Sequence, residues 1–209
     1  MKAFVVMGRT FKAAYDELFL CVFMSVAWWV GTLLILPAAP VTLGIHQIAN
    51  RMANYKRVDS SFFWEAARSH IRRGWLLYLI NLLIPVVIGV SIVFYFSLSG
   101  WMSILAFVCM WLLLFVLMIG QYLFPLFWQQ DEPNIRMMIR NAVLLALQHP
   151  LYTLLMLLFQ ILLIAISVVI TLPLFLLTPA LIAIAANFAL TGILQEMGLA
   201  PQPPQPTAR

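Results

Sequence analysis

Charged side chains interrupt this chain in only four short clusters, and between them run three tracts without a single Asp, Glu, Lys or Arg: residues 18–50, 74–130 and 141–195. A water-soluble core needs elements that keep one polar face toward water, and tracts of this length keep none. The pattern predicts an all-α, polytopic helical membrane bundle. A hydrocarbon core of roughly 30 Å takes about 20 helical residues at a rise of about 1.5 Å each. By that measure the second tract holds two spans, 74–96 and 101–128, separated by the polar break Ser97-Leu98-Ser99-Gly100. The third holds two more, 151–172 and 180–195, with Pro173 and Pro179 flanking the turn.

The first tract reads differently. Residues 18–36 are long enough for one helix, but Pro37-Ala38-Ala39-Pro40 breaks it, since proline removes a backbone donor and disfavours helix in the residue before it. Beyond the break only residues 41–50 are uncharged, enough for a re-entrant half-helix or for the apolar part of a second span. The tract at 18–50 is therefore read as a broken first hairpin.

Basic residues accumulate in short cytoplasmic loops. Lys2, Arg9 and Lys12 precede the first tract, Arg51 to Arg73 follow it, Arg136 and Arg140 separate the two later hairpins, and both predicted outer turns carry none. A first tract that goes in and returns puts every basic residue on one side, with both termini in the cytoplasm. Indole rings favour the membrane interface. Trp75, Trp101 and Trp128 bracket spans accordingly, whereas Trp28, Trp29 and Trp111 lie deeper and are read as packing residues.

Composition narrows the function. A chain of 209 residues is one domain, and no segment outside the membrane suffices for a second folded unit. The basic start runs into a helix of spanning length without a small-residue cleavage site, so no cleaved signal peptide is expected. The net charge of +5 matches the positive-inside rule and contacts with anionic lipid headgroups, which leaves no call for nucleic acid.

Two amphipathic segments read as helices lying on the membrane. In 62–73, Phe63, Ala66, Ala67, His70 and Ile71 share one face opposite Glu65, Arg68, Ser69 and Arg72, with Asp59 or Ser60 as the cap. In 134–147, Asp131 and Glu132 sit at the positive helix end, Pro133 suits the first turn, and Arg136 and Arg140 project one turn apart. Each such helix precedes a hairpin, so 62–128 and 134–195 suggest an internal repeat. The Pro-rich stretch 199–209 reads as a disordered tail.

Candidate chemistry is sparse. Ion-coupled transporters and intramembrane enzymes place ionisable groups at depth, and here the three tracts hold no Asp, Glu, Lys or Arg. His46, His70 and His149 fall on separate segments without metal-ligand spacing, and Cys21 and Cys109 read as small apolar side chains. No enzyme activity, cofactor or metal is expected. The remaining candidates are amides. Asn81 and Gln121 stand at matching depths in one hairpin, and Gln160 and Asn187 in the next. Pairing within each hairpin would contribute about 0.6–2 kcal/mol; the competing reading is a polar path for an uncharged solute. Ala185, Ala189 and Gly192 form a small-residue face suited to close helix packing, within the monomer or in a homo-oligomer.

The order of parts resembles the YesL-type bacterial membrane proteins. Leu36-Pro37, Thr42-Leu43-Gly44, a basic segment and the aromatic Phe62-Phe63 helix are similar to that family's front half; Tyr122-Leu123-Phe124-Pro125-Leu126, then Ile139-Arg140-Asn141-Ala142 and Leu151-Tyr152-Thr153-Leu154-Leu155, are similar to its second half. The family's proline and threonine stand as Pro-x-x-Thr, whereas Pro37 is five positions and Pro40 two before Thr42. The resemblance implies an accessory or regulatory role beside a carbohydrate-uptake ABC transporter, with a permease subunit as partner and no catalytic residues to carry over. Arg68, Arg72, Arg73, Arg136 and Arg140 are the expected contacts to that partner or to lipid headgroups. The alternative is a small permease for an uncharged solute, with Asn81, Gln121, Gln160 and Asn187 along its path.

Overall fold

The computed structural model describes residues 2–98, 102–130, 134–171 and 175–203. Ser99, Gly100 and Trp101 of the first outer turn, Asp131, Glu132 and Pro133, Leu172, Pro173 and Leu174, and the tail from Pro204 on lie outside them. Among the described residues the chain forms nine helices and no strand: α1 (Lys2–Asp16), α2 (Leu18–Leu33), α3 (Ala38–Ala53), α4 (Ser60–Ser69), α5 (Ile71–Ser97), α6 (Ser103–Gln129), α7 (Ile135–Gln148), α8 (Pro150–Ile170) and α9 (Thr178–Glu196). Four of them, α5, α6, α8 and α9, are long and apolar enough to cross a membrane. This is a helical membrane protein.

The proline break falls between α2 and α3, where the chain reverses through Ile35 at φ 62°. Pro37 caps α3 and Pro40 lies in its first turn, where a missing N–H is harmless. Residues 41–50 are thus the middle of a 16-residue helix rather than a half-helix. At about 24 Å α3 is short for a span, but neighbouring helices enclose it, and twelve of its residues are buried.

The N-terminal segment departs from the sequence reading. Residues 2–16 are a separate helix set at 91° to α2, and its Ala3, Val6, Thr10 and Ala14 are buried at a spacing of three to four. The predicted surface helix at 62–73 also ends earlier, at Ser69, so Arg72 and Arg73 belong to the first turn of α5. The cap of α4 is Asp59, whose carboxylate accepts the Ser61 N–H at 2.8 Å. That bond to the backbone holds the Asp59 carboxyl below its ordinary range.

These two differences have one cause. Glu17, His70 and His149 each form a single-residue corner between a short helix and a longer one, with φ/ψ of −119/39°, −117/47° and −128/57°. Around each corner the same positions are buried. Three residues before stand Ala14, Ala67 and Ala146; seven before stand Thr10, Phe63 and Ala142. Four after stand Cys21, Gly74 and Thr153; seven after stand Met24, Leu77 and Met156. A small residue on either side lets the two arms fold back around the bend. The chain is therefore built from three units of short helix, corner and hairpin, where the sequence suggested two.

The three units pack cyclically. The returning helices α3, α6 and α9 touch one another at the centre; α1 lies on α9, α4 on α3 and α7 on α6. The outgoing helices follow the same rotation, with α2 against α9, α5 against α3 and α8 against α6. Each unit thus covers the central helix of another, so none buries its apolar faces alone. α9 shows what the centre requires: Ala180, Ala183, Ala185, Ala186 and Ala189 are all buried, and small side chains let five neighbours approach. Close approach also explains Gly44, where an added Cβ would meet the Phe63 ring at 2.7 Å and the Phe63 carbonyl oxygen at 2.9 Å.

Because every hairpin returns, the three short helices and the described part of the tail share one end of the bundle. There Arg9 donates to Gln195 at 3.3 Å, and Gln195 in turn donates to the Pro201 carbonyl at 2.7 Å. Residues 199–203 are accordingly held against α9, which revises the reading of that stretch as disordered tail.

Candidate functional site

Two features stand out from packing: the basic end and a cavity between units. At the basic end, Arg68, Arg72, Arg73, Arg136 and Arg140 are all exposed. Arg68 closes α4, Arg72 and Arg73 open α5, and Arg136 and Arg140 lie one turn apart on α7. Asn134 caps that helix by accepting the Arg136 N–H at 3.1 Å. Among the described residues none of these five guanidinium groups forms an ion pair. The neighbouring Arg51 behaves otherwise: it lies 3.5 Å over the Phe62 ring and donates to the Arg57 carbonyl at 2.8 Å, which fixes the loop after α3.

The amides do not pair within their hairpins. Gln160 donates to Gln121 at 3.1 Å, joining α8 to α6, and Gln121 donates to the Thr153 carbonyl at 3.1 Å. Beside them the Tyr122 and Thr153 hydroxyls are bonded at 2.9 Å. These are contacts between the second and third units, set by the cyclic packing of α8 on α6. Asn187 instead faces α3, where its amide nitrogen lies 3.1 Å from His46 Nδ1 and 2.8 Å from the Ala183 carbonyl. Asn81 does share its level with α6, as the depth match predicted, but it lies against Gly120 and has no hydrogen-bond partner among the described residues. Matching positions along the spans carried no information on which faces meet.

The cavity, about 490 Å³, opens beside Asn81. Units one, two and three all contribute: Trp28, Trp29 and Thr32 from α2, Thr42 and His46 from α3, Tyr78 and Asn81 from α5, with Phe124, Ile164 and Thr178 closing the other sides. Trp28 and Asn81 occupy the same place in their units, eleven residues after the corners Glu17 and His70; Gln160 is the third such residue. The position thus carries a polar or amphipathic side chain in every unit. In the third unit it is consumed by Gln121, and in the first by Thr42, whose hydroxyl accepts Trp28 Nε1–H at 3.0 Å. Only in the second unit does it face open space.

His46, an isolated histidine in the sequence, is the hinge of this site. Its ring stacks on Phe124 with centroids 4.8 Å apart and planes 13° from parallel. No signal in a single sequence could have joined it to Asn187, 141 positions away. Trp29 lies at the cavity wall, packed on Trp28 and Phe175. Trp111 corrects the sequence reading in the other direction: it is 73% exposed and points away from the bundle rather than into its packing. The predicted small-residue face does pack inside the monomer, with Ala185 and Ala189 buried and Gly192 against Tyr152 and Val6.

Compared as a whole with family models, with curated proteins and with solved structures, the chain gives no match, so its function is argued from this geometry.

Proposed function

We propose that this protein is a non-enzymatic component of a bacterial cytoplasmic membrane, acting as an accessory or regulatory partner of a sugar-uptake ABC transport system. Its basic end faces the cytoplasm in this reading, in accord with the positive-inside rule. The observation that supports it is the set of five exposed arginines without described ion-pair partners, borne on α4, α5 and α7 at one end of a corner-braced frame. Guanidinium groups held this way suit acidic side chains of a partner loop and anionic lipid headgroups alike. Affinity purification from the native host in mild detergent, with mass spectrometry of what remains bound, separates the two. A stoichiometric permease subunit that is lost from an Arg68→Glu, Arg136→Glu double variant supports the accessory reading. Retention of lipid alone, unchanged in the variant, would overturn it.

A permease for an uncharged solute is the second reading, favoured by Asn81 at the cavity. Against it, three of the four amides are engaged in packing: Gln121 with Gln160, and Asn187 with His46. A facilitator needs a run of free polar groups across the membrane, and these bonds consume most of the candidates.

A further inference from the structure

Among the described residues, hydrogen bonding around the cavity leaves donors with nothing to donate to. Trp28 and Thr42 are a closed pair, because the Thr42 hydroxyl that accepts the indole N–H donates in turn to the Ala38 carbonyl at 2.8 Å. Besides the Tyr78 hydroxyl, three other groups on the wall are open. The Thr32 hydroxyl is buried without a partner, and the Asn81 amide has none among the described residues. His46 supplies the third. The Asn187 amide nitrogen lies against both the Ala183 carbonyl and His46 Nδ1; an amide nitrogen only donates, so Nδ1 accepts and the ring is neutral with its proton on Nε2. No described residue takes up that Nε2–H.

The way in is lateral. Leu82 and Ile164 both line the cavity, yet are 45% and 41% exposed on the outside of the bundle. Leu82 is about 17 Å along α5 from its basic end, and both residues stand well inside uncharged tracts, so this flank meets hydrocarbon. A guest using it comes from the lipid phase. The wall offers flat aromatic faces at Trp29, Tyr78 and Phe124 and no charged group among the described lining residues. Neutral donors around an aromatic-walled space match a flat uncharged ring bearing acceptor oxygens.

We propose that this cavity binds the headgroup of a neutral, membrane-dissolved molecule of the benzoquinone class, a flat ring with carbonyl oxygens on an apolar tail, entering between α5 and α8. The carbonyl oxygens accept from His46 Nε2–H, the Asn81 amide and the Thr32 hydroxyl, the ring lies along the aromatic wall, and the tail leaves past Leu82 and Ile164. This site is separate from the arginine-bearing end and stands whether or not a transporter partner exists.

The test is tryptophan fluorescence of the full chain in nanodiscs titrated with a decyl-substituted benzoquinone, which quenches indole at contact. Saturable quenching is expected, with Thr32→Val and Asn81→Leu each weakening it by roughly threefold to tenfold, the effect of one hydrogen bond. Ile164→Phe narrows the entrance and weakens it further, whereas Trp111→Phe, exposed and outside the cavity lining, leaves the affinity unchanged. Thr32→Val preserves shape, so the test does not hinge on a variant that fails to fold. Quenching that rises linearly and equally in every variant, as partition into lipid alone would produce, overturns the proposal. So does displacement of the quinone by a water-soluble ring such as glucose or inositol, which would make the guest a water-borne polyol.

Discussion

Single residues decide this structure where polar groups meet inside an apolar tract. Gln121 and Gln160 illustrate it: the Gln160 amide donates to the Gln121 carbonyl oxygen across the contact of α6 with α8, and the Gln121 amide donates in turn to the Thr153 carbonyl. A double-mutant cycle on Gln121→Leu and Gln160→Leu, read from unfolding in detergent, should show coupling of about 0.6–1.7 kcal/mol. The cycle on Asn81→Leu and Gln121→Leu should show none. Coupling in the second and not the first would restore the pairing within hairpins. The outcome matters for what sequence conveys, because the amides were visible as the few polar letters in long apolar tracts, and their depth followed from counting turns. Their partners did not, since depth says nothing about rotation, and the three-unit cycle sets rotation. His46 was hidden for the same reason: its partner Asn187 and its stacking ring Phe124 lie on two other units.

At the scale of elements, the repeated device is the corner. An alanine three residues before Glu17, His70 and His149 and a buried Cys21, Gly74 or Thr153 four after leave room for the arms to meet. Enlarging the first of these should therefore wedge the bend open. Ala14→Leu, Ala67→Leu and Ala146→Leu are each expected to destabilise by about 1–3 kcal/mol, the usual result of overpacking. The same enlargement at exposed Ala165 on α8 should cost little. Thermal unfolding in one detergent compares them directly, and equal stability of all four variants would mean that the corners do not depend on their alanines. Spans of the two later hairpins were legible because about twenty consecutive apolar residues suit little besides a membrane crossing. The corners were not. A helix that bends at one residue keeps its apolar period on both sides, so 62–73 read as one helix, and the basic α1 merged with the tract that follows.

For the whole molecule, the claim everything else depends on is that each unit enters the membrane and returns. The basic residues, the proline break and the cyclic packing of α3, α6 and α9 all accord with it, and the arginine-bearing face and the lateral cavity owe their settings to it. Two of the three hairpins announce themselves by length alone; the first does not, because α2 and α3 have 16 residues each and are made sufficient by neighbours that sequence does not display. That hairpin is where a direct measurement has most force. Single cysteines introduced as Ile35→Cys, at the reversal between α2 and α3, and Tyr55→Cys, just beyond α3, can be labelled in intact spheroplasts with a membrane-impermeant maleimide, in a background lacking Cys21 and Cys109. A first tract that returns predicts labelling of residue 35 from outside and of residue 55 only after the membrane is opened. Labelling of residue 55 in intact spheroplasts would mean that the first tract crosses once, and would contradict the three-unit arrangement of the bundle.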